Sequence, residues 1–302
     1  PGPTGAGLVG RFGVGFSAVL AVTDEPAVLS RRGGVRFSRE DTHDLVTHTA
    51  TTSPELAAEL ARRDGHVPVL RLPFAATGEP PTGYDTVVLL PVRDGAADDL
   101  VRRLLADLDD ALLLALPQLG EVRLEVDGAV RVLAGVDDRW FAVRRTGLLD
   151  ARDLGDRPVE ERSRTTWSLT WALPRDPSLP TRQPTPHRAV VHAPTPTDEP
   201  LGLPGLLIAS FPLDPSRRHV APGPATDALA AQAGRAYAEL VAQVVGEPVG
   251  GGVGATSPDP GVSAETTWQI WDLVPTGLPV GALDAAVQAA AVDALRHAAV
   301  LH

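Results

Sequence analysis

The stretch of this sequence that is most clearly suited to binding a ligand is rich in glycine. Residues 10–16 read Gly-Arg-Phe-Gly-Val-Gly-Phe, and a small-residue apolar segment continues to residue 22. Closely spaced glycines let a backbone approach a phosphate, and the N–H groups at the start of a following helix point toward such an anion. The spacing is not the GxGxxG of dinucleotide-binding folds. The stretch predicts either a phosphate loop entering a helix at about 14–17, or a Gly-rich turn before a buried core helix.

Two further positions carry candidate chemistry. Thr86 lies at the start of an apolar strand candidate, and Arg217 follows the sequence Phe-Pro-Leu-Asp-Pro-Ser. A planar guanidinium that is always charged can stabilise charge on a transferring phosphoryl group. Each residue also has an ordinary interpretation, Thr86 as a strand residue and Arg217 as a surface residue.

Composition excludes several kinds of site. The chain has 302 residues with no Cys, Met, Lys or Asn, so Arg supplies all 27 cations. Disulfides, Cys-ligated zinc, Cys nucleophiles and the Lys of a Walker P-loop are therefore excluded. The eight His residues show no HExxH or paired metal spacing, so no metal site is predicted. Lys, Asn and Met have AT-rich codons, and their absence indicates that the sequence comes from a GC-rich, bacterial genome.

Charge and hydropathy limit the kinds of partner that the protein can have. A formal net charge of −11 argues against a general nucleic-acid binder. No apolar run reaches the roughly 18 residues of a membrane span, and no signal-peptide pattern opens the chain. We therefore expect a cytoplasmic protein without nucleic-acid or membrane partners.

Hydrophobic patterning predicts alternating strands and helices, which is typical of an α/β or α+β chain. Two hairpins are expected, one across 31–34 and one across Asp127-Gly128. Alternation in 165–173 predicts a strand with one buried face. Helices are predicted at 14–22, 53–63, 96–116, 225–245 and 281–301. Strands are predicted at 27–30, 35–38, 67–74, 85–92, 122–126, 130–134, 140–145, 165–173, 189–192 and 206–211.

The residues around the glycines resemble the lid segment of the ninety-kilodalton heat-shock chaperones and of sacsin-type relatives. Those families belong to the Bergerat-fold (GHKL) ATPases, and their G-x-F-G-x-G-F pattern is followed by a helix and a Thr-Asp turn. This sequence has the pattern at 10–16 and the turn at Thr23-Asp24, with Arg11 where the chaperones usually carry Gln. The nucleotide-binding residues that the resemblance implies are Gly10, Arg11, Phe12, Gly13, Val14, Gly15, Phe16 and Thr86.

The resemblance continues in chain order through the first half of the sequence. Residues 68–74 look like the sacsin-type FRLPLR strand. Residues 84–92 look like the late strand of the ATP-binding domain, whose Thr lies near the adenine and is matched by Thr86. The helix predicted at 96–116 and the strand at 122–126 look like the end of that domain.

A second landmark lies downstream. Residues 211–218 resemble the PLNxSRE loop of the chaperone middle domain, whose Arg reaches the γ-phosphate of ATP when the domains dock. Arg217 is the matching position, and the resemblance implies that it is a catalytic residue. Asp214 stands where the family has Asn, and Pro215 lies inside the loop.

The family's general base Glu, its Mg²⁺-binding Asn and its adenine-binding Asp-x-Gly box all precede the lid. They would lie before residue 1, so we interpret the chain as a fragment. Residues 1–127 would be the C-terminal part of an ATP-binding sandwich, and 128–302 a middle-domain-like α/β module. The resemblance implies that the intact parent binds ATP and Mg²⁺, hydrolyses ATP and acts on client proteins, whereas the fragment alone is inactive. The alternatives are a non-catalytic protein-interaction module that retains the fold, and a different α/β enzyme with a coincidental Gly loop.

Overall fold

The computed structural model describes residues 15–163, 165–176, 189–246 and 268–297. The described residues form two compact units, 15–107 and 108–297. Helices and sheets are mixed in the chain, so the predicted α+β class is confirmed. No helix in the described ranges is both long and apolar enough to span a bilayer.

The first unit begins with a 3-10 helix, Gly15–Ala21. A helix was predicted at 14–22, but its predicted burial is wrong, because none of the residues in Gly15–Ala21 is buried. In a 3-10 helix only side chains three positions apart share a face, whereas an α-helix also brings together those four apart and so offers a broader face for burial.

Four strands of the first unit form an antiparallel sheet in the order β3-β2-β1-β4. The predicted hairpin is present, but its turn has two residues instead of the expected four, since Ser30 pairs with Gly33 and the second strand begins at 33 rather than 35. The predicted strand at 67–74 is mostly wrong, because 69–71 form a 3-10 turn and only Phe74 enters the sheet. The bounds are β1 (Ala27–Ser30), β2 (Gly33–Arg36), β3 (Phe74–Ala76) and β4 (Thr86–Leu89).

Three α-helices belong to this unit: α1 (Arg39–Ala50), α2 (Pro54–Arg62) and α3 (Gly95–Asp107). Helix α2 begins after Ser53 as predicted, with the Ser53 hydroxyl accepting the Leu56 N–H. Helix α1 was not predicted. Its start follows the same rule, because the Ser38 hydroxyl accepts the Asp41 N–H.

The single helix predicted over 96–116 is wrong. Helix α3 ends at Asp107, and a separate helix α4 (Asp110–Ala115) follows. Asp109 caps α4, because its carboxylate accepts the Ala111 N–H at 2.9 Å. The two compact units divide at this break, between 107 and 108.

The second unit continues with the predicted hairpin of β5 (Glu121–Val126) and β6 (Ala129–Ala134). Its turn residues Asp127 and Gly128 have φ of 51° and 80°. Positive φ at both positions is typical of the two-residue turn that matches the twist of a hairpin.

A five-stranded sheet in the order β10-β9-β11-β8-β7 is the centre of this unit. Strands β9 and β11 are parallel and the other neighbours antiparallel. Strand β10 was not predicted. The strands are β7 (Trp140–Leu148), β8 (Thr166–Pro174), β9 (Ala189–His192), β10 (Pro196–Leu201) and β11 (Leu206–Ala209). The helices are α5 (Val136–Arg139), α6 (Val159–Arg162), α7 (Pro224–Gly246), α8 (Ile270–Leu273) and α9 (Ala282–His297).

Helices α7 and α9 pack on one face of this sheet and α4 on the other. In β8, Trp167, Leu169 and Trp171 are buried, as the alternation predicted. The Trp171 ring lies 4.8 Å from the Tyr237 ring, and its Nε1 donates to the Ala233 carbonyl at 2.8 Å. The central sheet thus has helical layers on both sides.

Close approach of α7 to α9 depends on Gly234. A Cβ at this position would lie 2.5 Å from the Ala291 backbone nitrogen. Gly246, at the end of the same helix, has no atom within 4 Å of its Cβ position. Packing therefore requires glycine at 234 and leaves 246 unconstrained.

A buried carboxylate fixes the start of α9. Asp284 is completely buried, and its two oxygens accept hydrogen bonds from the Gly202 N–H at 2.8 Å, the Val280 N–H at 2.9 Å and the Gln288 amide at 2.8 Å. These three donors tie the loop after β10 to the helix.

Candidate functional site

The described part of the Gly-rich stretch consists of Gly15 and Phe16, while Gly10, Arg11, Phe12, Gly13 and Val14 lie outside the described residues. The 3-10 helix begins at Gly15, within the predicted range. No atom lies within 4 Å of the position that a Cβ would take at Gly15, so packing gives no reason for glycine there. The Phe16 ring lies 6.3 Å from the Phe37 ring.

Thr86 is an exposed residue at the start of β4. It pairs with Ser30, beside the hairpin turn. Leu89, at the other end of β4, pairs with Ala27, which follows the 3-10 helix in the chain. The sheet therefore places Thr86 at the end of β4 that is remote from the exit of the 3-10 helix.

The residue that connects β4 to the 3-10 helix is Arg93, which sequence reasoning missed. Its Nη2 donates to the Leu20 carbonyl at 2.6 Å, and its backbone N–H donates to the Val22 carbonyl at 2.9 Å. Its Nε lies 3.0 Å from Asp24 Oδ1, which Arg39 Nη2 also approaches to 2.9 Å. The contact spans 73 positions of sequence, and no local pattern could have indicated it.

Arg217 lies on the loop after β11, which is buried along its whole length. Its side chain is exposed, as predicted for a residue that follows the end of an interior strand. The backbone turns here, since the Arg217 N–H donates to the Asp214 carbonyl at 3.0 Å. The predicted placement of Arg217 on the loop is confirmed.

Side chains hold this loop in one shape. The Asp214 carboxylate accepts the Ser216 hydroxyl at 2.7 Å and the His219 N–H at 3.4 Å. The Ser216 hydrogen bond lowers the pKa of Asp214. Arg218 Nε donates to Asp198 at 2.7 Å, and the Asp198 N–H donates to the Arg218 carbonyl at 2.7 Å. The loop is therefore attached to the edge strand β10.

Arg217 has a φ of 60°, in the left-handed region that favours glycine. The other non-glycine residues with positive φ in the described ranges are Asp64 and Asp127. Aspartate tolerates this region because its short side chain bonds locally, whereas arginine has no such compensation. This backbone outlier motivates the hypothesis that the Arg217 side chain has a functional role.

Within the described ranges, no group of three or more His, Asp or Glu residues could hold a metal ion. The Mg²⁺ that the resemblance implies is held by Asn in that family, and this chain contains no Asn. The described residues therefore do not fit a Mg²⁺ site.

Comparisons with protein-family models, with curated proteins and with solved structures find no match to this chain. The relation to the chaperone ATPases remains a prediction from the motifs at 10–16, 84–92 and 211–218. The predicted domain boundary at 127 likewise remains a prediction.

Proposed function

We propose that the chain belongs to a cytoplasmic, chaperone-like ATPase of the Bergerat type. In this proposal residues 1–127 contribute to an ATP-binding domain, and residues 128–302 form a middle-domain-like module. The intact parent would bind ATP and couple its hydrolysis to the remodelling of client proteins. The Gly-rich stretch 10–16 would hold phosphates through backbone N–H groups, and Arg217 would contact the γ-phosphate.

The observation that carries the proposal is the position and backbone conformation of Arg217. The residue is exposed, it lies on a loop braced by side chains, and its backbone is strained. A guanidinium presented in this way can meet an anion held by another domain without rearrangement of its own loop. The same loop carries Asp214, and its Arg218 and His219 contact Asp198 and Glu199 of β10, so these carboxylates oppose the binding of a free anion from solution. The contact would therefore form only on docking, where exclusion of water strengthens it.

A second observation supports a larger ATP-binding domain. Among the described residues β4 pairs with β1 alone, which makes β4 an edge strand. Its own residues Val88 and Leu89 are 49% and 44% exposed and point to opposite faces of the sheet. A strand that is apolar on both faces is typical of a sheet interior with both faces covered. Proteins rarely leave such an edge open, so β4 has the character of a strand from a more extensive sheet.

Mg²⁺ does not fit the described residues, so no step of the proposal passes through a metal held by them. In this proposal the general base and the metal ligands belong to the part of the parent that precedes the lid segment. For that reason we expect the 302-residue chain by itself to show no ATP turnover above background.

The test is kinetic and uses the intact parent. Arg217→Gly should lower the ATP turnover rate at least tenfold, the size expected when one charged contact to a transferring phosphoryl group is lost. ATP affinity should stay within about twofold, because the contact would exist only in the docked state. Arg152→Ala, a change at another exposed arginine of the same unit, is the control. Unchanged turnover in Arg217→Gly would overturn the role of Arg217.

A non-catalytic interaction module is the second candidate, and one observation favours it. Trp271 and Leu278 are 75% and 91% exposed, although Leu273 between them is buried. Exposed aromatic residues on an anchored segment are typical of protein-binding surfaces. This candidate predicts that Trp271→Ala weakens partner binding and that ATP has no effect on it.

A further inference from the structure

Arg93 links two elements of the first unit, the 3-10 helix and the segment that follows β4. It follows β4 by four residues, and its backbone N–H and guanidinium reach the carbonyls of Val22 and Leu20. Leu20 lies near the C-terminal end of the 3-10 helix, where carbonyl oxygens have no partner within the helix. A cation is favoured at this end by the helix dipole as well. Arg93 thus supplies the hydrogen bonds that the end of the helix needs.

Asp24 completes the junction. Its Oδ1 atom is buried and lies near both the Arg93 and the Arg39 guanidinium. The Asp24 carbonyl accepts the Arg39 N–H at 3.1 Å, at the first residue of α1. The Asp24 carboxylate therefore connects the chain segments that follow the 3-10 helix and β4 to the first residue of α1.

We propose that Arg93 is a positioning residue that couples the segment 15–23 to β4, so that order gained in one is transmitted to the other. This inference rests on the proposed function only in identifying 15–23 as the continuation of a nucleotide-binding stretch. The phosphate-holding residues in the proposed function are 10–16, and Arg93 is not one of them. It acts by fixing the end of the segment whose start would carry the phosphate.

The bonding pattern explains why arginine is needed here. Nη2 donates to the Leu20 carbonyl, and Nε lies 3.0 Å from Asp24 Oδ1 as an ion pair without a hydrogen bond, so one planar group makes two contacts. A lysine ammonium is a single point charge on a flexible stem and does not reproduce this fork. Arg93→Lys should therefore keep attraction to Asp24 and lose the geometry at Leu20.

Hydrogen exchange of the 302-residue chain without ligand tests the coupling. In Arg93→Ala we expect about tenfold faster exchange at residues 18–24 and at 86–92, the effect of losing one charge-assisted hydrogen bond at a local opening. Arg93→Lys should give an intermediate effect at both segments. Arg39→Ala removes the other cation from Asp24 and should affect 86–92 much less. Arg62→Ala, a change at an exposed arginine of α2 in the same unit, is the control.

Two results would overturn the inference. One is exchange in Arg93→Ala no faster than in Arg62→Ala, and the other is acceleration at 18–24 with none at 86–92. All five tryptophans lie between residues 140 and 271, so their fluorescence reports whether the second unit is intact in each variant. If Arg93→Ala prevents folding, Arg93→Lys decides the question by the same criteria.

Adding ADP separates this inference from the proposed function. In the intact parent, ADP should slow exchange at 15–23 and 86–92, and the effect at 86–92 should be reduced in Arg93→Lys but persist in Arg39→Ala. If ADP changes neither segment of the unmodified parent, the proposed nucleotide site fails, while the ligand-free comparison in the 302-residue chain still decides the role of Arg93. If ADP protects both segments equally in Arg93→Lys, the coupling is overturned.

Discussion

Replacing Arg217 by glycine and by alanine separates the role of its backbone from that of its side chain. Both changes remove the guanidinium, but only glycine accepts a φ of 60° without steric cost. Alanine retains the penalty of about 1 kcal/mol that an L-residue has in the left-handed region. We therefore expect Arg217→Gly to be more stable than Arg217→Ala by about 1 kcal/mol.

The neighbouring position supplies a matched control. Arg218 is not among the residues with positive φ, so glycine there only adds freedom to the unfolded chain. Arg218→Ala and Arg218→Gly lose the same contact with Asp198, which cancels when the two are compared. The order of stability should therefore reverse between the two positions, with glycine better at 217 and alanine better at 218.

Thermal unfolding followed by tryptophan fluorescence measures this difference. For a unit of 150–250 residues, about 1 kcal/mol corresponds to roughly 2–4 °C in Tm. If Arg217→Gly melts at or below the Tm of Arg217→Ala, the loop does not hold residue 217 in a strained conformation. The functional role proposed for the Arg217 side chain would then have no support from its backbone conformation.

Three further predictions concern the second unit. Gly234→Ala should destabilise it by about 1–3 kcal/mol in urea unfolding, because the added methyl group meets the backbone of α9; Gly246→Ala in the same helix should be neutral or slightly stabilising. Asp284→Ala should cost at least about 3 kcal/mol by the same assay, since three buried donors lose their acceptor, whereas Asp293→Ala on the exposed face of α9 should not. Burial lowers the pKa of His192 to about 4, so the unfolded chain takes up a proton first as the pH falls. Stability should then decrease between about pH 6.5 and 4 by up to about 1.4 kcal/mol per pH unit, and unchanged pH dependence in His192→Leu would contradict this.

Features with local causes could be predicted from the sequence. The Asp127-Gly128 turn, the Ser53 cap and the alternation in β8 each depend on residues a few positions apart, and each was confirmed. Helix α1 was within reach of the same reasoning. Its Ser38 cap and the Asp41 that follows three residues later form a typical helix start, but the weak apolar periodicity of the helix hid it.

Features that depend on distant contacts could not be predicted. The apolar positions of 96–116 continue across residue 108, yet the helix breaks there. Asp110 binds the Arg139 guanidinium at 2.6 Å and the Trp140 indole at 2.8 Å, both in the second unit. These contacts hold α4 against other residues of the second unit, and Asp109 caps the new helix. Periodicity describes one face of a helix and contains no information about such partners.

Strands β11 and β4 show why one apolar pattern can have two outcomes. Both were predicted from similar apolar runs, and both form strands. Strand β11 has β9 and β8 on its sides and helices on both faces of its sheet, so every residue is buried. Within the described ranges, strand β4 has one neighbour, and its Val88 and Leu89 remain exposed on opposite faces. An apolar run of this kind requires a strand that is covered on both faces. The described part of the first unit does not cover both faces of β4. A strand pairing with the open edge of β4 would help to cover them, and protection of the β4 amides in a longer parent but not in this chain would be the evidence for such a strand.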